Sequence, residues 1–441
     1  MTARETALKI LDQVERGEAL SDALLARPLL RHTSLSPADL GLVRQLVSGV
    51  MRNRSRLDWI LDCSLQRGIG SLKPLEINIL RLGLYQIAYL DRVPGFAAVN
   101  ESVNLVKRFG RKGIIGLTNA VLRDIIRNKR HLSRPDTGNK LKDAAIEYSH
   151  PEWLVKRWAT QLGWDEAIRL MEADNSPAPV VIRVNPLRTS LGELVKHLSE
   201  RGFRPRTLDG LPLALLVEEP SGLVDDETFS RGHFYFQDAG AQSVGLLYRP
   251  RPGDLILDLC VAPGGKASQA LELAGNRAEL YAVDVSHPKL RRVRENFERL
   301  GLASWHLMNG DATTIRFRRL FDLVLADLPC SGLGVLRRRL DLRWRIGEAD
   351  ILRLSELQAR ILDNAAGMVQ PGGALIYSTC TVTQEENHQQ VERFLTRHPG
   401  FRLDLAERQL PLEMVENGCL SIWPHRHGWD GSFAARLVRV Q

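Results

Sequence analysis

Apolar positions along the first 130 residues recur every three or four places, and the two-residue alternation of strands is absent. Thr2 and Glu5 have capping-box spacing ahead of Leu8, Leu11 and Val14. Ser36-Pro37-Ala38-Asp39 supplies a cap, a proline at the first helical position and an acid in the first turn. Leu40, Val43, Leu46, Val47 and Val50 then share one face. The run Leu75 to Leu90 is apolar on most sides, which predicts the buried central helix of a bundle. Helices are also predicted over Asn100–Arg108 and Gly116–Arg127, the latter with Arg123, Arg127, Lys129 and Arg130 at its end. Residues 131–140 have linker composition. Residues 141–175 read as helical, with Trp153, Trp158 and Trp164. Residues 180–235 alternate strand-like runs such as VVIRVN with one helix, SLGELVKHLSERG, a small α/β, RRM-like insert.

From Gly253 the texture changes. Short apolar runs (LILDL, LYAVDV, FDLVLAD, ALIYST) alternate with helical segments, the pattern of a parallel doubly wound, Rossmann-like sheet. Ser286 is placed to cap a helix in which Leu290, Val293, Phe297 and Leu300 share a face and which Gly301 ends. The expected domains are 1–135, helical; 141–240, a helical linker with the small α/β insert; and 241–441, the Rossmann-like body.

Charge sharpens this division. The chain carries a net +8, yet residues 1–140 hold 23 Lys+Arg against 13 Asp+Glu while residues 141–441 hold 37 against 39. A basic appendage on a nearly neutral body points to a nucleic-acid partner. No run approaches the length of a membrane helix, and the N-terminus lacks the apolar stretch of a secretory signal, so a cytoplasmic protein is expected. Five cysteines, Cys63, Cys260, Cys330, Cys380 and Cys419, have wide spacings and no Cys-x-x-Cys pair. Neither a disulfide framework nor a metal site is expected. A lone cysteine is more often a small buried hydrophobe than a nucleophile, and Cys63 and Cys419 take that reading.

The strand ends carry the chemistry. The first apolar run closes on Asp258-Leu259-Cys260-Val261-Ala262-Pro263-Gly264-Gly265-Lys266, a glycine turn between strand and helix where a ligand can approach the backbone. The second closes on Asp284, an acid placed for ribose hydroxyls, and Gly310-Asp311-Ala312 follows the third, with Asp311 able to face an adenine amino group. The fourth ends in Asp327-Leu328-Pro329-Cys330-Ser331-Gly332 and the fifth in Tyr377-Ser378-Thr379-Cys380. Acids in register at successive strand ends indicate a nucleoside pocket, with two thiols beside it.

In this order, DLCVAPGGK, DLPCSG and STC resemble the RNA cytosine-5 methyltransferase family, whose common forms are DLCAAPGGK and DAPCSG; Val261 and Leu328 depart from them without replacing a chemical group. Arg183-Val184-Asn185, Phe236-Gln237-Asp238 with Gln242, Arg337–Arg339 with Asp341-Leu342-Arg343-Trp344, and Asp430-Gly431-Ser432-Phe433 add to the likeness. The segments LKPLEINILRLGLYQIAYL and AVNESVNLVKRFG resemble a NusB-like RNA-binding domain. The resemblance implies methylation of carbon 5 of one cytosine in 16S ribosomal RNA, number 967, with S-adenosylmethionine as methyl donor. It implies Cys380 as the nucleophile that adds to carbon 6, Cys330 as the group that assists release of the adduct, and Asp327 at the N3/N4 edge of the base and the cofactor. It lines the cofactor site with Cys260, Val261, Ala262, Pro263, Gly264, Gly265, Lys266, Asp284, Asp311 and Asp327, Lys266 also reaching toward the base. The RNA, free or in early assembly, would present its base flipped out or single-stranded, gripped at phosphates by the N-terminal cations and Arg337–Arg339 of a monomer. An amino-methyltransferase fits less well, because Asp-Leu-Pro-Cys stands where those enzymes have Asn/Asp-Pro-Pro-aromatic. A transfer-RNA enzyme and a non-catalytic RNA-binding factor remain as alternatives.

Overall fold

A computed structural model describes residues 1–17, 35–128, 134–408 and 410–440. The chain divides into two compact units, Met1–Ser176 with Leu336–Arg345, and Pro177–Val335 with Ile346–Gln441.

The first unit is helical. Helices α1 (Ala3–Glu15) and α2 (Pro37–Arg52) open with the expected reciprocal caps, Thr2 with Glu5 and Ser36 with Asp39. They are followed by α3 (Arg54–Ser64), α4 (Pro74–Tyr89), α5 (Gly95–Phe109) and α6 (Ile115–Asn128). Helix α4 is central, with Ile79, Leu80, Leu82 and Leu84 in the core. Gly83 lets its neighbours come close: a Cβ there would lie 2.4 Å from Ser102 Oγ and 2.6 Å from Leu122 Cδ1. Helix α5 starts ahead of the expected Asn100, at Gly95 with Pro94 as its N-cap, because Ala98 and Val99 already face the core. Lys129 and Arg130 lie outside the described residues. Helices α7 (Lys140–Glu147), α8 (Glu152–Leu162) and α9 (Trp164–Asn175) complete the unit, and of the three tryptophans only Trp158 is buried.

The segment Leu336–Arg345 corrects one expectation. Arg337–Arg339 do not face outward as a set: Arg337 is buried, Arg338 half-buried and Arg339 exposed. Leu336 and Leu340 are both buried, Leu340 within the core of this unit, and they carry Arg337 inward with them. Arg343, 0% exposed, donates to the carbonyls of Ser149 (3.1 Å) and Asp174 (3.2 Å) and to Asn175 Oδ1 (2.8 Å).

The second unit holds two sheets. Strands β1 (Val181–Val184), β2 (Pro205–Leu208), β3 (Leu211–Val217) and β4 (Phe234–Phe236) form an antiparallel sheet in the order β2-β3-β1-β4. Helix α10 (Leu191–Glu200) packs Leu194 and Leu198 against Ile182, Leu215 and Phe234. The larger sheet contains β5 (Leu255–Asp258), β6 (Glu279–Asp284), β7 (Trp305–Asn309), β8 (Phe321–Asp327) and β9 (Val369–Thr379), parallel in the order β9-β8-β5-β6-β7. It is mixed rather than wholly parallel: β13 (Ser432–Arg439) pairs antiparallel with β9, β10 (Phe401–Asp404) and β12 (Cys419–Ile422), and β11 (Val415–Glu416) closes the edge. The last forty residues carry only short connections, which can join antiparallel strands but not make the crossovers that parallel pairing needs. Helices α11 (Gly265–Leu273) and α12 (His287–Leu300) cover one face; α13 (Glu348–Ala366) and α14 (His388–Arg397) cover the other. Ser286 stands at the N-cap of α12, but its side chain makes no cap bond; its N–H donates instead to Asp284 Oδ1 at 2.8 Å.

Candidate active site

The parallel order sets the carboxyl ends of five strands along one edge. Register pairs Asp327 with Ser378, Asp258 with Leu325 and Ala282, and Asp284 with Asn309. The acids and thiols singled out in the sequence are thereby collected, although they are spread over more than a hundred residues.

The turn after β5 is shaped for close backbone approach. Gly264 has φ +100°, a left-handed conformation that favours glycine, and a Cβ there would sit 2.9 Å from Phe297 Cε1 on α12. Cys260, Ala262, Gly265 and Lys266 are half-buried, Val261 and Gly264 buried and Pro263 exposed. Asp258 is buried beneath the turn and accepts the Cys260 N–H at 3.1 Å. Burial first, and the neighbouring Asp327 next, push its carboxyl up to about 8. Asp284, also buried, accepts the Ala262 N–H at 3.3 Å. Val285 beside it is 75% exposed, an apolar surface at the sheet edge. Asp311 is exposed, and Thr313 donates its N–H (2.8 Å) and hydroxyl (2.7 Å) to Oδ1, holding the carboxyl below its ordinary value. Asp327 and Asp284 both add to the upward push on the Asp258 carboxyl, so this edge suits a nucleoside ligand that itself carries positive charge.

Behind the turn stands Arg183 of β1, 1% exposed. It forks onto Glu272 of α11 (2.9 and 2.8 Å), donates to Ser268 Oγ (2.8 Å) and the Gly265 carbonyl (2.7 Å), and bonds Gln237. The small sheet thus buttresses the glycine turn through one buried guanidinium. In the sequence Arg183 signalled only family likeness.

At the other end of the edge, Cys330 Sγ and Cys380 Sγ are 3.4 Å apart, and the Cys380 N–H also donates to Cys330 Sγ at 3.4 Å. The Cys330 thiol is pushed well above its ordinary value, first by its hydrogen bond with the Cys380 thiol and then by burial. Asp327 Oδ1 takes both Lys266 Nζ (2.6 Å) and Ser378 Oγ (2.8 Å), which fixes the carboxylate and leaves Oδ2 for another partner. Ser378 was not a sequence candidate; its place in STC, opposite Asp327 in register, is the signal that identifies it.

The remaining cysteines separate by environment. Cys260 is pushed above its ordinary value by burial and the neighbouring acids, and Cys419 to about 12 by burial, so neither is poised as a thiolate. Cys63 is not the buried hydrophobe its sequence suggested: it is exposed near the C-terminal end of α3, next to the exposed Asp62. Among the described residues no group of three or more His, Cys, Asp or Glu side chains is arranged to hold a metal, and no helix is long and apolar enough to cross a membrane.

Comparison with known proteins matches three stretches of the chain, the middle one crossing the boundary between the two units. Residues 245–438 match the family model described as 16S rRNA methyltransferase RsmB/F, residues 1–127 the NusB family, and residues 150–223 the ferredoxin-like domain of RsmF/B-like methyltransferases. A protein of Synechocystis sp. named "Probable ribosomal RNA small subunit methyltransferase B" is 36% identical, covering 100% of both chains. Ribosomal RNA small subunit methyltransferase B of Klebsiella pneumoniae is 34% identical over 99% of this chain and 98% of its own. The crystal structure of PH0851 superposes with a TM-score of 0.82 at 25% identity, covering 99% of each chain.

Proposed function

Since the chain belongs to the 16S rRNA methyltransferase RsmB/F family, we propose that it methylates carbon 5 of a cytosine in 16S rRNA, number 967, through a covalent bond between Cys380 and carbon 6. The observation that carries this reading is the pair of thiols 3.4 Å apart beside a pinned Asp327.

Carbon 5 of cytosine is a weak nucleophile. In the proposed cycle the Cys380 thiolate adds to carbon 6, forming a C–S bond and moving the C5=C6 electron pair into the ring. Asp327 Oδ2 hydrogen-bonds the N3/N4 edge and favours a proton at N3, which accommodates that electron pair. S-adenosylmethionine, when bound, supplies a methyl group on positively charged sulfur, and that bond breaks with its electrons left on sulfur as carbon 5 takes the methyl. Once Cys380 is bonded to carbon 6, Cys330 gives up its thiol proton to solvent and takes the proton of carbon 5; the C–H electron pair re-forms C5=C6 and expels the Cys380 thiolate. A Cys330 thiol that resists ionisation until its neighbour is engaged suits this later step, because it does not compete for carbon 6.

Residues Cys260–Lys266, Asp284, Asp311 and Asp327 line the cofactor site in this reading. The exposed Val285 offers a flat apolar contact and the acids meet the ligand's positive charge. The substrate base is unstacked, since a base within a duplex cannot reach both thiol and methyl.

The test uses a 16S rRNA transcript, a transfer-RNA control and labelled cofactor with wild type, Cys380→Ala and Cys330→Ala. Transfer to 16S RNA by wild type alone, with a protein–RNA adduct trapped in Cys330→Ala, is the expected result. Undiminished transfer by Cys380→Ala overturns the mechanism, and preference for transfer RNA overturns the substrate.

A further inference from the structure

Beneath the two cysteine loops lies a carboxylate that the proposed chemistry does not use. Glu386 follows β9 by a few residues and is 0% exposed. Its Oε1 accepts the Ser331 N–H at 2.9 Å and Gln358 Nε2 at 3.0 Å. Its Oε2 accepts Ser331 Oγ at 2.5 Å and Thr383 Oγ1 at 2.8 Å. Four donors converge on two oxygens, so the group serves wholly as an acceptor. Burying a carboxylate is costly without such partners, which makes an incidental placement a poor explanation.

The donors are not scattered. Ser331 directly follows Cys330. Gln358 of α13 also donates to the Pro329 carbonyl at 2.9 Å, on the other side of Cys330. Glu386 therefore grips the Pro329–Ser331 turn from both flanks. The Ser331 hydroxyl spends its proton on Glu386, so the 2.7 Å contact with Thr381 is donated by Thr381, the residue after Cys380. Asn387, next to Glu386, accepts from Thr379 Oγ1 at 2.7 Å and donates to the Thr381 carbonyl at 3.0 Å, bracing the Cys380 turn. The Tyr377 hydroxyl lies within hydrogen-bonding distance of both the Glu386 carbonyl and Gln358 Oε1, its single proton shared between them. The Cys330 turn is held by direct bonds to the carboxylate, and the Cys380 turn only through intermediates.

We infer that Glu386 is a positioning residue for Cys330, fixing the Pro329–Ser331 turn so that its thiol stands ready to assist adduct release. The inference rests on the reading that Cys380 forms the adduct and Cys330 assists its breakdown. The negative charge of Glu386 also disfavours a Cys330 thiolate, as do burial and the Cys380 thiol, which keeps Cys330 from competing as nucleophile. Loss of Glu386 therefore slows release more than it slows addition.

The experiment follows adduct and product separately in single turnover, using full-length wild type, Cys330→Ala, Glu386→Gln and Ser331→Ala with 16S transcript and cofactor, folding being checked by thermal unfolding. Glu386→Gln keeps the shape but turns one acceptor into a donor facing donors. It is expected to form adduct at near the wild-type rate and release it on the order of tenfold more slowly, the factor matching loss of one hydrogen bond to a charged acceptor. Ser331→Ala, which keeps the backbone bond to Glu386, is expected to slow release less; it carries the test if Glu386→Gln does not fold. Trapping in Cys330→Ala but not in a folded Glu386→Gln, or equal loss of adduct and product in the latter, overturns this inference alone. No trapping in Cys330→Ala overturns the underlying reading and this inference with it.

Discussion

Asp258 shows how much a single buried group can reveal. Its carboxyl, pushed to about 8 by burial and by Asp327, is protonated in the folded chain at neutral pH. A raised value in the folded state means that the group favours folding fully below its unfolded value and loses that contribution as pH rises to about 8. Between about pH 4 and 8 the penalty grows by about 1.4 kcal/mol per pH unit. Asp258→Asn mimics the neutral acid and keeps an acceptor for the Cys260 N–H. The Tm difference, variant minus wild type, is expected to climb from about pH 5 to about 8 and then level off. A difference independent of pH means that Asp258 is ionised throughout. Single residues were legible where chemistry and strand position coincide: Cys330, Cys380 and Asp327 stand at the ends of apolar runs in segments with family-like spacing. Glu386 was not, because its partners Ser331 and Gln358 are brought to it by folding and no spacing in the chain announces them. Cys63 was misjudged for the same reason, since exposure depends on which side of α3 faces the core.

At the level of elements, β1 and α11 meet through the Arg183–Glu272 pair, both side chains essentially inaccessible. Removing one member strands the other charge in the interior, a cost of about 3–5 kcal/mol, whereas replacing both with apolar groups often costs little. Arg183→Met is therefore expected to destabilise the chain by about that amount in denaturant unfolding, and Arg183→Met with Glu272→Leu to recover most of it. Arg183 also holds the Gly265 carbonyl, so the double variant is expected to regain stability yet keep a weakened cofactor affinity. Recovery of both measures excludes a role for Arg183 in shaping the glycine turn. The elements themselves were mostly readable. Alternating apolar runs and helices specified β5, β6, β8 and β9, since strands buried on both faces read as continuous apolar segments, whereas β7 at the sheet's edge has no buried residue and shows no such run. The antiparallel strands were not: β10 to β12 are short, and the pairing of β13 along β9 is a choice between partners that local pattern does not encode. Arg337–Arg339 were misjudged likewise: the run read as a set gripping phosphates, and only the core of the first unit turns Arg337 inward.

Across the whole molecule, charge is the feature that local structure cannot explain. The excess of cations in residues 1–140 over a nearly neutral remainder persists in the fold, where Lys112 and Arg123 of the first unit are exposed. The second unit has exposed cations too, Arg291 and Arg292 on α12 among them, so exposure alone does not single out an RNA surface. Counterion release separates the possibilities, because each phosphate contact to a single strand adds about 0.7 to the slope of log affinity against log salt. If the basic unit holds the RNA, replacing Lys112 and Arg123 with Gln lowers that slope by up to about 1.4 and leaves adduct chemistry intact under saturating RNA. Replacing Arg291 and Arg292 with Gln leaves it unchanged. Arg337→Ala is expected to lower Tm rather than the slope, because that side chain is buried. Equal slope changes in the first two pairs would mean that the RNA follows a path over both units, and the asymmetry of charge would then govern encounter rather than grip.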